Sequence, residues 1–314
     1  YPSTTVMLFR DFPDVFSVEF QEASRRYVQV LKNFHKDPYL IGYFMRNEPL
    51  WAFGRHNLAA RMLEDNPGSA TRRALAQWLQ KRYGSIEALN KAWSVNLSNF
   101  DAFVTNLFYR VDFSSPKAAE DLWEFSKEMV RLYVAIPVQE ARKVDPYHLI
   151  LGMRYAWISS ELLLVAGESF DVFSINCYNM EPCLSSIEQI AKATGKPVII
   201  GEFHFGALDR GLPSTGLRAV TSQQERGIAY RRYVELAAAN PNIVGVHYFT
   251  LNDQTVLGRF DGENYQIGFV DVCSKPYEEL VEAAKQTNQR LYLICDGKVK
   301  PFEKEAQQRV HIAF

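Results

Sequence analysis

The stretch Tyr39-Leu-Ile-Gly-Tyr-Phe-Met-Arg-Asn-Glu-Pro49 decides the fold. An apolar run stops abruptly at Arg46, Asn47 and Glu48, which is how a strand buried on both faces reads when it delivers polar groups at its C-terminal end. In α/β folds the chemistry sits at such strand ends. A catalytic Glu48 needs a second carboxylate, and Pro197-Val-Ile-Ile-Gly-Glu202, far downstream, has the same design.

Upstream of this strand, residues 1–16 have loop character. Ser17 then caps a helix whose apolar stripe is Ala23, Tyr27, Val30, Leu31 and Phe34, stopped by Asp37-Pro38. Downstream, the chain makes an excursion over about 50–110. It contains a helix over about 70–83 closed by Gly84 and a second, capped by Ser85, over 86–93. A long helix follows over about 116–143, opened by Pro116 and expected to kink at Pro137. Four more strands are expected at 149–154, 171–178, 197–202 and 243–249. Helices over about 184–194, 222–239 and 275–288 separate or follow them, the second opened by the capping box Ser222-Gln-Gln-Glu225. Strand alternates with helix throughout, which implies a parallel sheet covered by helices, either an open doubly wound sheet or part of an eight-stranded barrel. A nucleotide-binding doubly wound domain is disfavoured, because no GxGxxG or GxxxxGK[ST] follows any strand.

The 314 residues are 47% apolar, enough for a large core. A formal net charge of −1 gives no argument for nucleic acid or an anionic membrane as partner. No run of eighteen apolar residues is present, so no membrane-spanning helix is expected. Aromatic residues, 16 Tyr, 21 Phe and 5 Trp, suit a sugar-binding cleft, although an ordinary core accounts for most of them. The four cysteines lack CxxC spacing and interleaved His, so neither a metal site nor any other cofactor is expected. Cys177 reads as a small buried hydrophobe, with a Cys177–Cys183 disulfide as the alternative. The start, Tyr1-Pro-Ser-Thr-Thr, has neither an initiator Met nor a signal-peptide pattern, which places the natural N-terminus elsewhere and leaves targeting unreadable.

Several stretches together resemble the clan A retaining glycoside hydrolases, whose (β/α)8 barrel ends its fourth strand in Asn-Glu and its seventh in a second Glu. The positions here are Asn47-Glu48-Pro49 and Gly201-Glu202-Phe203. Trp78 to Trp93 is similar to the insertion after the acid/base strand in family 42 β-galactosidases. His247 to Gln254 and Gly258 to Asp271 are similar to β-agarase-type enzymes of family 50 and their relatives. The resemblance covers roughly residues 10–289. It implies that residues 1–289 are the C-terminal portion of a TIM barrel carrying strands 4 to 8 only, with residues 290–314 as a tail. Five strands cannot close such a barrel. Strands 1 to 3 are therefore expected from an N-terminal segment of the same gene product or from a separate chain.

By the same resemblance Glu48 is the acid/base and Glu202 the nucleophile of a double displacement on a galactose-containing carbohydrate. In that mechanism the two carboxyls stand about 5–5.5 Å apart. Asn47 is suited to hold the sugar 2-OH. Tyr178 would donate its hydroxyl to Glu202. Arg154, at a strand end, is a candidate for substrate hydroxyls or a carboxylate, and equally for a structural ion pair. His204 and Phe205 are expected to line the pocket. Tyr248 occupies the place where the clan carries a Trp under the sugar, and Trp51 and Trp157 could supply that platform. Asp253, Asp261 and Glu263 are assigned structural hydrogen bonding. The competing function is a catalytically inactive carbohydrate-binding barrel, or a subunit whose partner supplies essential residues.

Overall fold

The computed structural model of the chain describes residues 1–309. Residues 310–314 of the expected tail lie outside the described residues. The first sixteen residues are more ordered than expected. Met7–Phe9 (β1) and Phe12–Pro13 (β2) pair antiparallel, drawn inward by Phe12 and Val15, both fully buried. Strands this short hold too few residues for an alternation to be read.

Ser17 caps Val18–Tyr27 (α1), its hydroxyl accepting the Phe20 N–H at 3.0 Å. The buried face of this helix is Phe20 and Ser24, followed by Val28, rather than the expected stripe. Tyr27, Val30 and Phe34 are exposed, and the chain tightens into a 3-10 turn at Val28–Asn33.

Gly42–Tyr43 (β3) pairs in parallel with Leu149–Ile150 (β4). The ladder is extended by Leu151 N–H to Tyr43 O at 2.8 Å, Met45 N–H to Gly152 O at 2.9 Å and Glu48 N–H to Arg154 O at 3.2 Å. A Cβ at Gly42 would lie 2.2 Å from the Leu149 carbonyl oxygen, so only glycine lets these two strands approach.

Between β3 and β4 lie Leu58–Leu63 (α2), Ala70–Tyr83 (α3), Ile86–Trp93 (α4), Ala102–Thr105 (α5) and Pro116–Val144 (α6). The helix of α6 continues through Pro137. One fully buried carboxylate ties three of these helices together. Asp121 of α6 accepts the Trp93 indole N–H at 2.9 Å and the Tyr83 hydroxyl, and pairs with Arg82 and Lys117, each at 3.0 Å. Leu162–Val165 (α7) follows β4. These elements form one compact unit, Tyr1–Val172.

A second unit begins at Phe173. Phe173–Asn176 (β5), Val198–Phe203 (β6) and Ile243–Tyr248 (β7) form a parallel sheet in the order β5-β6-β7. Every residue of the central strand is buried, which is why it reads as a continuous apolar run. Leu184–Thr194 (α8) ends at Gly195, and Gln223–Ala238 (α9) packs against Glu278–Cys295 (α10). The last helix runs seven residues further than 288, the end expected from sequence.

The segment after α10 is anchored. Glu235, fully buried in α9, accepts the Phe302 N–H at 2.9 Å, and Glu225 accepts the Gln307 N–H at 2.6 Å. Glu225 is thereby drawn to the tail, while its own N–H donates to the Ser222 Oγ at 3.3 Å, the Ser222 half of the capping box.

Candidate functional site

The first unit presents the end of β3. Glu48 (φ 42°) and Arg154 (φ 47°) both have left-handed backbone conformations. For a residue other than glycine such a conformation costs about 1–3 kcal/mol, and it persists where surrounding bonds over-determine it. Here the Glu48 N–H to Arg154 O bond and an aspartate supply that constraint. Asp11 pairs with Arg46 and accepts the N–H groups of Leu50 and Trp51 at 2.9 and 2.8 Å, which fixes the turn after Pro49. No sequence signal marked Asp11, whose partners lie 35–40 residues away. Asn47 is exposed and Glu48 half-buried. The Arg154 guanidinium lies 5.1 Å from the centre of the Phe44 ring.

Two tryptophans expected as platforms separate clearly. Trp157 is 51% exposed, its ring edge-on to Phe53 at 5.0 Å. Trp51 is only 2% exposed, packed edge-on against Phe12, Tyr133 and Tyr155. Trp51 therefore offers no ring face to a sugar, and the platform expectation is corrected to a core role. Its place in the 3-10 turn Leu50–Ala52 aims it inward.

The second unit presents the end of β6. Glu202 is 7% exposed, and its Oε2 accepts the Tyr178 hydroxyl at 2.5 Å. The Tyr178 ring lies 4.7 Å from that of His204. His204 is 1% exposed, and its Nε2 accepts the Leu217 N–H at 2.9 Å. Burial holds its pKa down at about 3, so the imidazole is neutral with its proton on Nδ1. His204 and Phe205, expected to line the pocket, are both buried.

Tyr248, the last residue of β7, is half-buried. Its ring packs on Phe203, Tyr230 and Phe269. Its hydroxyl donates to Phe205 O at 3.1 Å and accepts from Arg226 at 3.2 Å. The ring of Phe249, the residue after β7, lies 6.3 Å from that of His204 and 5.4 Å from the Arg259 guanidinium.

Arg226, fully buried, was missed for want of any motif. It donates to Phe205 O, Gln223 Oε1 and Gly268 O at 2.6–2.8 Å. Asp253 accepts the N–H groups of Ile267 and Gly268 and the Tyr277 hydroxyl at 2.7–2.9 Å, and so pins the last loop. Asp261 and Glu263 pair with Arg259 at 2.5 and 2.8 Å. All three acids form structural hydrogen bonds or ion pairs. Among the described residues no group of three or more His, Cys, Asp or Glu is placed to hold a metal ion.

A parallel α/β chain with glutamates at strand ends is the form taken by TIM-barrel glycoside hydrolases, and solved structures of that class share the fold. A β-galactosidase from the psychrophilic Marinomonas ef1 matches 91% of this chain and 44% of its own, at a TM-score of 0.60 and 16% identity. The chain belongs to glycoside hydrolase family 42, whose family model, described as beta-galactosidase, matches residues 10–196. It is also similar to agarases. Beta-agarase B of Vibrio sp. (strain JT0107) is 35% identical over 271 residues, 82% of this chain and 28% of that protein. The structure of an exo-beta-agarase matches 94% of this chain and 42% of its own, at a TM-score of 0.84 and 33% identity. The chain thus spans between about a quarter and less than half of these relatives.

Proposed function

We propose that the chain is the catalytic part of a retaining β-glycoside hydrolase acting on an agar-type or other galactose-containing carbohydrate. In this reading it carries barrel strands 4 to 8, with strands 1 to 3 supplied by a longer form of the protein or by another chain. Glu48 is the acid/base and Glu202 the nucleophile. The single observation that carries the reading is the Tyr178 hydroxyl on Glu202 at a buried strand end. A phenol donating to an ionised carboxylate favours the ionised form, which is the form that attacks.

Glu202 attacks the anomeric carbon while Glu48 protonates the departing glycosidic oxygen. Glu48, now ionised, then takes a proton from water, and that water displaces Glu202 from the glycosyl-enzyme. Asn47, beside the acid/base, binds the sugar 2-OH, where a hydrogen bond strengthens as the oxocarbenium-like transition state forms. Trp157 offers the exposed ring face.

The test uses the full-length protein on agarose oligosaccharides and on aryl β-galactosides. Glu202→Gln is expected to abolish turnover of both. Glu48→Gln is expected to slow the oligosaccharide about a hundred- to ten-thousand-fold. Formation of the glycosyl-enzyme from an aryl galactoside with a good leaving group should be far less affected, because that oxygen departs without a proton. Equal activity in wild type and both variants would sink the assignment. A wild type that binds saccharide without hydrolysing it would favour the carbohydrate-binding reading.

A further inference from the structure

Glu202 is held by Tyr178, and Tyr178 stands where the sheet gives out. The ladder of β5 on β6 ends at Asn176 opposite Glu202, with one further bond from Cys177 N–H to Glu202 O at 2.9 Å. Residues 179–183 then belong to no helix or strand before α8 begins at Leu184. A disulfide between Cys177 and Cys183 closes this loop. Both sequence readings of Cys177 hold, since it is buried and bonded.

Cys183 is the N-cap residue of α8, and its side chain makes no cap hydrogen bond. Ser17, Ser69, Ser85, Ser115 and Ser222 each cap their helices with a hydroxyl. A hydroxyl at such a position stabilises a helix by about 1 kcal/mol. At α8 that contribution is forgone and the side chain serves the crosslink. The crosslink fixes Cys177, directly before Tyr178, and the Cys177 carbonyl also accepts the Tyr233 hydroxyl at 2.7 Å.

We propose that the Cys177–Cys183 disulfide is a positioning element for the Tyr178–Glu202 hydrogen bond, so that its reduction lowers turnover while leaving substrate binding and the fold in place. The inference rests on the reading of Glu202 as the nucleophile. The rest of the loop has its own anchors, Arg218 to Asn179 at 3.1 Å and Arg232 to Glu181 at 2.5 Å, which is why cutting the crosslink shifts Tyr178 without unfolding its surroundings.

Access is from one side. A cavity of about 420 Å³ is lined by Asn179, Glu181, Cys183, Arg232 and Glu305, whereas Cys177 is buried. A dithiol reductant therefore attacks Cys183 Sγ through its thiolate, and Cys177 departs as a thiolate and takes up a proton. The second thiol of the reductant then attacks the mixed disulfide and releases Cys183. The reductant ends as its own disulfide, and two electrons and two protons have passed to the protein.

The experiment compares wild type, Cys183→Ser, Tyr178→Phe and the double variant in the full-length protein. Kinetics are measured across pH, before and after dithiothreitol. Cys183→Ser restores a capping hydroxyl, so the helix itself is not weakened. Expected are a fall in kcat of about ten- to a hundred-fold, the scale of one hydrogen bond to a charged group, a KM within about twofold of wild type, and an acidic limb moved to higher pH. Reduced wild type should behave like Cys183→Ser and recover on reoxidation, and in the Tyr178→Phe background Cys183→Ser should add nothing. Peptide mapping after alkylation of the unfolded protein should find Cys273 and Cys295 modified before treatment, and Cys177 and Cys183 modified as well after it.

The inference alone is overturned if wild type is active yet Cys183→Ser keeps its kcat and pH profile. It is equally overturned if Cys177 and Cys183 are both alkylated after reduction without loss of activity, or if the effects of Cys183→Ser and Tyr178→Phe simply multiply. An inactive wild type, or a Glu202→Gln variant as active as wild type, overturns the parent reading and this inference together.

Discussion

Asp145 shows how much one side chain can organise. Burial alone would raise its pKa. The Tyr43 hydroxyl at 2.5 Å, the His148 ring at 2.6 Å and the N–H groups of His148 and Tyr147 at 3.1 and 3.0 Å outweigh that and hold it at about 2. The other His148 nitrogen bonds Asp37 O at 2.9 Å, and that bond, with Asp145, raises the histidine pKa. Asp145 contributes stability above the ordinary aspartate value near 3.8, and loses it as pH falls through about 2. His148 contributes below its ordinary value near 6.5, and loses its contribution as pH rises through its raised value. Asp145→Asn should therefore cost about 2 kcal/mol near pH 6, a difference that closes toward pH 2. Urea unfolding at pH 3, 6 and 8 measures it, and a pH-independent difference would refute the account. None of this was legible in the sequence, because a buried aspartate and a loop aspartate are spelled alike. The position of Glu202 near the end of a buried strand was legible, because it closes an apolar run.

At the scale of elements, the loop after β6 is shaped by His204. Gly216 has φ 69°, and a Cβ there would lie 2.6 Å from His204 Nε2, the atom that receives the Leu217 N–H. Gly216→Ala is expected to destabilise the protein by about 1–3 kcal/mol, read by urea or thermal unfolding. Removing the ring in a His204→Ala background should relieve part of that loss, leaving the backbone term. Full additivity of the two changes would show that the ring is not what Gly216 accommodates. The main helices and the caps at Ser17, Ser85 and Ser222 follow from local spacing and were readable. The facing of Tyr248, His204 and Trp51 was not. Alternation fixes which residues share a face, but which face meets the core depends on elements far along the chain.

At the scale of the whole molecule, β3 and β7 are each an edge strand of their own sheet. Ile41, beside β3, is 71% exposed, and Val244 in β7 is 60% exposed. Apolar edge residues are where further strands join. If barrel strands 1 to 3 add there, Ile41→Lys and Val244→Lys should leave residues 1–314 folding as before and abolish activity or assembly of the longer protein. Circular dichroism on the chain and activity with size-exclusion on the longer form give the two readouts. Two lysine variants with wild-type activity would exclude these edges as joints.

By itself the sequence determined the α/β class, the main helices and parallel strands in their order, the buried strand that carries Glu202, and the hydrolase family that the strand ends resemble. Periodicity and capping act over a few residues, and so they are written locally. Only the tertiary structure decided that Trp51 is core, that His204 is a buried neutral brace, that Tyr248 serves Arg226, and that Cys177 is crosslinked beside Tyr178. Each of those outcomes depends on partners brought from elsewhere in the chain, in which burial and hydrogen bonding, rather than residue type, set the role.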